Sequence, residues 1–269
     1  TCIYPTEVER GERDHRVGDL LRSVEKLEAD RAEFLGDGED TRLVTTPLIV
    51  RMLLIVHLNR RTLPDRRAEL YMEVVDTLLT SSHNQDEAVA QQLEKLGGDW
   101  RGRLALCQYA AFQMHSRGQT AGREIAEREL NDLLRRYLVD RRHKSEETAS
   151  ALVEDFIAVN RQRGGLMENL AGRHRFAHLS FQEFLVSRYL AETEREVERI
   201  AAYLENPARA GGSWWREPAL LTIGYLNVTA PDVATDLVRR LAQLDVDRPV
   251  NSAAAFASAI RGAGATPRP

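Results

Sequence analysis

Only two cysteines, Cys2 and Cys107, occur in 269 residues, so no disulfide framework organises the fold, and a chain of this length has room for one large core or several small ones. Cys107 lies in the apolar helical run Leu104 to Phe112 and reads as a small core residue, which suits a reducing cytoplasm. Long hydrophobic runs are also missing. The longest, Pro47 to Leu58, is interrupted by Arg51 and His57, well short of the ~18 to 20 residues of a membrane span. No signal peptide is visible. Neither sign of charge dominates: 37 Lys and Arg against 41 Asp and Glu leave a net charge of -4, which argues against wholesale binding to nucleic acid or anionic membrane. The basic pairs Arg135-Arg136 and Arg141-Arg142 are surrounded by Asp132, Glu146 and Glu147 and read as solvated helix ends.

Catalytic signatures are absent as well. The chain contains no G-x-x-x-x-G-K-[ST], no G-x-G-x-x-G, no H-E-x-x-H and no apolar strand ending in paired acids. Without the first, the backbone N–H cradle and lysine that hold a triphosphate are missing; without the last, so is the acid that positions Mg²⁺. No catalytic residue is assigned, and the chain alone is not a complete ATPase. The seven histidines lack metal-ligand spacing except His174 and His178, which share a face if the preceding strand starts early enough; no third ligand accompanies them, and no metal is assigned.

What is present is helical periodicity in an ordinary soluble composition, 43% hydrophobic and 29% charged. Apolar stripes predict helices over 17–35, from Pro47 to about Asn59, and from Ala68 to Leu79, with Thr46 as N-cap and Pro47 at the first helical position. Polar residues 83–95 and Gly97-Gly98 mark a boundary. Helices follow over 104–114, 123–138 and 146–159, and then strand, turn and strand over Leu166–Asn169, Leu170–His174 and Arg175–His178. Further helices are expected over 193–204, 217–227 and 230–244, with a frayed end after Arg261. The expected architecture is mostly α: a helical domain over 1–85, a winged-helix domain with a small β-hairpin over 96–192, and a second helical domain over 193–269.

The richest stretch is Phe176 to Leu190, FAHLSFQEFLVSRYL. Ser180 and Glu183 have the spacing of a capping box, and Leu179 and Phe184 that of a hydrophobic staple, so His178 is expected at a rigid strand-to-helix corner. A histidine beside the positive end of a helix dipole either packs as a turn residue or meets an anion such as a nucleotide phosphate. Gln182 and Glu183 read as helix-start residues.

Arg175 to Leu185 resembles the F-x-H-x-[ST]-F-Q-E-[FY]-L-A block of NACHT-type STAND NTPases. Three further stretches resemble that family in its order: Thr46-Pro47-Leu48, Leu63-Pro64 through Tyr71, and Trp215-Arg-Glu-Pro218-Ala-Leu-Leu221. The resemblance implies a first helical domain, a winged helix and the start of a second helical domain. It implies ADP or ATP as the cofactor, with Mg²⁺ supplied at a P-loop domain, Pro47 packing on the adenine and His178 touching the β-phosphate of ADP. It also implies a regulatory module that gates oligomerisation in the cytoplasm, in the manner of bacterial defence or regulatory proteins. The partners would be a P-loop domain upstream of Thr1, where a missing N-terminal portion is expected, and further copies of the protein. Two other readings compete, a DNA-binding winged helix and a passive helical interaction scaffold. The acids Glu146, Glu147, Glu154 and Asp155 on the third helix oppose the first of these.

Overall fold

The computed structural model describes residues 17–22, 24, 25, 29, 50, 53, 54, 56, 66–81, 91, 94, 98–161, 166–194, 196–205 and 213–246. Thr46, Pro47, Leu63 and Pro64 lie outside the described residues. The elements in chain order are α1 (Arg67–Ser81), α2 (Trp100–His115), the single turn α3 (Gly118–Ala121) and β1 (Ile125–Ala126). Next come α4 (Glu127–Arg136), which runs into a π-helical turn (Tyr137–Arg141), then α5 (Glu146–Arg161), β2 (Met167–Leu170) and β3 (Arg173–Phe176). Four helices follow: α6 (Leu179–Thr193), α7 (Val197–Glu205), α8 (Ser213–Thr229) and α9 (Pro231–Val246). The mostly helical class with one small antiparallel sheet agrees with the apolar spacing of the sequence.

Two compact units divide the chain, one formed by residues 1–74 with 227–269 and the other by residues 75–226. In the first, Leu20, Leu53, Val56, Leu70, Ala234 and Leu237 are buried. The second holds the sheet. Its strand order is β1-β3-β2, all antiparallel, with Ile125 opposite His174 and Met167 opposite Phe176. Helices α2, α4 and α5 with these three strands make a winged helix whose wing is the β2–β3 hairpin. The wing is one strand richer than the hairpin expected from sequence. Two residues of β1 are too few to show a period-2 pattern, and they cut the expected 123–138 helix so that α4 starts at Glu127.

Local chemistry sets the helix ends. Asp99 Oδ1 accepts from Gly102 N–H at 2.9 Å, so α2 begins four residues ahead of the apolar run. Ala110 and Ala111 are fully buried on α2, and their small side chains let it lie close along α6, where Phe181, Phe184, Leu185 and Leu190 are buried. Along β3 the exposed Arg173 and Arg175 alternate with the buried His174 and Phe176, the pattern of a strand with one wet face.

The wing turns on Ala171 and Gly172, both left-handed with φ 52° and 80°. A two-residue loop with both φ positive is the primed turn that matches strand twist and favours Asn-Gly. Asn169 Oδ1 accepts from Gly172 N–H at 3.1 Å and Gly172 O accepts from Glu127 N–H at 2.9 Å, which hold the turn against the start of α4. Alanine in this conformation carries a steric cost of roughly 1 to 2 kcal/mol. Ala171→Asn is therefore expected to stabilise the chain by about 0.5 to 1 kcal/mol, read as a thermal midpoint a few degrees higher. An unchanged or lower midpoint would contradict the turn assignment.

Candidate functional site

His178 follows the end of β3, where Ala177 N–H still donates to Leu166 O at 2.9 Å, and it stands immediately before α6. Its backbone is extended, with φ -143° and ψ 143°, and its Nδ1 accepts from Ser180 N–H at 3.2 Å. The N-cap of α6 is thus His178 itself, and the expected capping box is corrected. Ser180 is the second residue of the helix and gives its own N–H to the imidazole, because the chain leaves the sheet two residues earlier than the Ser-Glu spacing implied. The Leu179–Phe184 staple falls with it, since Leu179 is already the first helical residue. The cap fixes the chemistry of the ring. Nδ1 must offer a lone pair, so a neutral His178 carries its proton on Nε2, and burial holds its pKa below the ordinary histidine value. Nε2–H has no hydrogen-bond acceptor among the described residues.

Four residues on, Gln182 joins a second, buried histidine. Its Nε2 donates to Gly122 O at 2.9 Å and lies 3.3 Å from Nδ1 of His115, the last residue of α2. His115 is 0% exposed, and its Nε2 lies 2.9 Å from Trp214 O. A carbonyl only accepts, so His115 is the Nε2–H tautomer and Nδ1 accepts from Gln182. Trp214 Nε1–H donates back to His115 O at 2.9 Å. The two rings stack with centroids 4.2 Å apart, and Trp215 meets the imidazole edge-on at 4.7 Å. Both tryptophans are buried, 9% and 5% exposed, so the pair is core rather than an exposed partner patch.

Pro218 explains why a histidine stands there. The helix expected from Glu217 starts instead at Ser213, which places Pro218 inside it. Proline has no N–H to give the carbonyl four residues back, and that carbonyl is Trp214 O. His115 supplies the missing donor. Gly122 closes the same fixture: a Cβ there would lie 2.5 Å from Met114 O and 2.6 Å from Gly118 O, so only glycine permits the approach. Sequence reasoning did not single out His115 or the bridging role of Gln182. The signal was Pro218, which orphans a carbonyl one turn back once the helix is known to start before it.

His174 belongs to the wing rather than to a ligand pair with His178. Fully buried on β3, it has Nε2 2.8 Å from Asn169 Nδ2 and 3.1 Å from Glu127 Oε2, and Asn169 Nδ2 also donates to Glu127 at 2.7 Å. This bracket joins β2, β3 and the first turn of α4. His178 stands beyond the strand end, and no group of three His, Cys, Asp or Glu side chains among the described residues could hold a metal ion. Cys107 is buried with its thiol pushed up to about 12, first by desolvation, and so is no nucleophile. Pro47 lies outside the described residues.

Burial pushes the His115 pKa down to about 4, against the weaker opposing pull of the Trp214 carbonyl. The unfolded chain binds this proton near the ordinary value of about 6.5, so the stabilisation is complete above that pH and is lost as pH falls toward about 4. His115→Gln keeps a donor without the titration. It should be the less stable protein at pH 7.5, and the gap should shrink by on the order of 3 kcal/mol by pH 4 in urea denaturation, where common carboxylate effects cancel. A gap independent of pH would contradict the buried, neutral imidazole.

Residues 67–190 match the family model described as the winged helix-turn-helix domain C-terminal to NACHT. The match begins with α1 and ends within α6, covering the three helices, the three strands and the FAHLSFQEFL block. No curated protein and no solved structure matches the chain. No helix among the described residues is long and apolar enough to cross a membrane. The matched segment folds as a winged helix, as the family description states, and that description implies a NACHT domain upstream in the same protein. Residues 67–190 of the chain are therefore similar to the winged helix-turn-helix domain that follows NACHT.

Proposed function

We propose that this winged helix senses the nucleotide bound by the NACHT domain of the same protein, with His178 donating Nε2–H to a terminal phosphate oxygen of ADP. The observation that carries the reading is the cap: Ser180 N–H occupies Nδ1, which leaves the opposite ring nitrogen as a proton donor. A neutral donor of fixed tautomer, at the N-terminus of a helix of 15 residues, suits a phosphate oxygen acceptor. ADP and its Mg²⁺ would be held chiefly by the P-loop of the NACHT domain, and Pro47 would pack on the adenine. The nucleotide then joins the two domains in a closed state, and exchange for ATP releases the module to permit oligomerisation. The role is regulatory, in a cytoplasmic signalling or defence protein, and needs no catalytic residue on this chain.

The winged helix is less suited to DNA. On α5, the helix that follows α4, Glu146, Glu147 and Glu154 are exposed, and a phosphate backbone would repel them. The wing cations are matched by acids, Arg173 with Glu124 at 2.7 Å and Arg175 with Glu168 at 3.3 Å.

Because His178 both caps and senses in this reading, two substitutions separate the roles. In the protein that includes its NACHT domain, His178→Asn retains a capping oxygen and should keep the wild-type thermal midpoint, whereas His178→Ala should lose about 1 kcal/mol of stability. Both should bind ADP about ten- to a hundredfold more weakly relative to ATP by calorimetry, the size of one hydrogen bond to a charged group. Unchanged ADP affinity in His178→Asn would make His178 a cap and nothing more. The 269-residue chain alone should show no Mg²⁺-dependent ATP hydrolysis above background.

A further inference from the structure

α6 buries one full positive charge near its middle. Arg188 is 8% exposed; its Nε donates to Glu192 Oε1 at 2.8 Å and its Nη1 donates to Asp76 Oδ1 at 3.0 Å. The two carboxylates differ in where they sit. Glu192 is one turn further along α6 itself, and it also accepts from Gln108 Nε2 on α2 at 2.8 Å and from the Tyr225 hydroxyl on α8. Asp76 belongs to α1, and its side chain is 37% exposed. One counter-ion is therefore built into the helix that carries the cation, and the other is brought by a different element.

We propose that Arg188 is a latch for the C-terminal half of α1, engaged by Asp76 and able to release it because Glu192 remains as a resident counter-ion. A buried cation with a single partner resists separation, since removing that partner strands an uncompensated charge in a medium of low dielectric. Here the loss of Asp76 leaves Arg188 paired and leaves water access to the departing carboxylate. Gln108 and Tyr225 hold Glu192, and Glu192 holds the guanidinium, so the receptor for Asp76 keeps its geometry when empty and recapture requires no rotamer search. Burial raises the Glu192 pKa, but hydrogen bonds from Tyr225, Gln108 and Arg188 outweigh it and keep the group ionised. Val75 and Leu79, buried on the same stretch of α1, add apolar burial that favours the docked state without fixing its register. The latch rests on α1, α2, α6 and α8 alone and is independent of the nucleotide reading.

Hydrogen exchange on the full 269-residue chain tests it through Asp76→Asn and Glu192→Gln. Asp76→Asn should speed exchange of amides 75–81 about tenfold and leave α2, α6 and α8 at wild-type rates, the behaviour of a local opening. Glu192→Gln should loosen α2, α6 and α8 together and lower the thermal midpoint more than Asp76→Asn does. Unchanged exchange over 75–81 in Asp76→Asn would overturn the proposal. So would equal damage from the two substitutions, or loosening of α2, α6 and α8 by Asp76→Asn. If Glu192→Gln does not fold, the Asp76→Asn profile decides alone.

Discussion

The carbonyl of Trp214 is buried in α8 and cannot be satisfied there, because Pro218 lacks the N–H that would meet it; the imidazole of His115 takes its place. A buried carbonyl without a partner costs about 1 to 3 kcal/mol, so the pairing determines where α8 can lie. The end of α2 must reach Trp214, and Gln182 must hold the far side of the ring while accepting the constraint of Gly122. Trp214 returns a hydrogen bond to the backbone of His115 and stacks on its ring. Three helices thus converge on one neutral imidazole. A proton there would sit in an enclosure of aromatic faces, opposite a second hydrogen-bond donor from Gln182, which is why its pKa lies so far below the ordinary histidine value.

This arrangement also determines how firmly the start of α6 is held. Gln182 occupies its first turn, between the capping imidazole of His178 and the buried Phe184. The cap restrains the helix from the sheet side and the His115 fixture restrains it from the α2 and α8 side, so His178 cannot reorient without disturbing one or the other. The proposed phosphate contact of His178 would need such a footing, because discrimination depends on holding a donor where the acceptor will be. Further along the same helix, Arg188 meets α1 through a contact of the opposite kind, with one fixed and one separable carboxylate. α6 therefore carries a rigid end and a releasable middle.

Much of this was legible in the sequence. The strand, turn and strand expected over 166–178 marked the wing, although the turn is only Ala171-Gly172 and Leu170, Arg173 and His174, expected in it, belong to the strands; the apolar period marked α1, α2 and α5 to within a few residues. The FAHLSFQEFL block placed a strand, a corner and a helix in the right order. What stayed hidden was tertiary in origin. A two-residue strand has no period to read, so β1 emerged only through its pairing with β3. Ser180 and Glu183 fit a cap by spacing, but an imidazole can also cap, and the end of β3 decided between them. Cys107 was readable as core because its neighbours are apolar, whereas His115 stands next to a polar loop and gains its meaning only from a proline about a hundred residues away.

The most direct measurement is the imidazole ¹⁵N spectrum of the folded chain at pH 7, assigned at His115 through its loss in His115→Gln. The account predicts a neutral ring with the proton on Nε2, in hydrogen bond to Trp214 O, and a pyridine-type Nδ1, unchanged down to about pH 5. A ring protonated on Nδ1, or one that gains its second proton near the ordinary histidine pKa, would contradict it, because Trp214 O would then lack its donor or the site would be open to water.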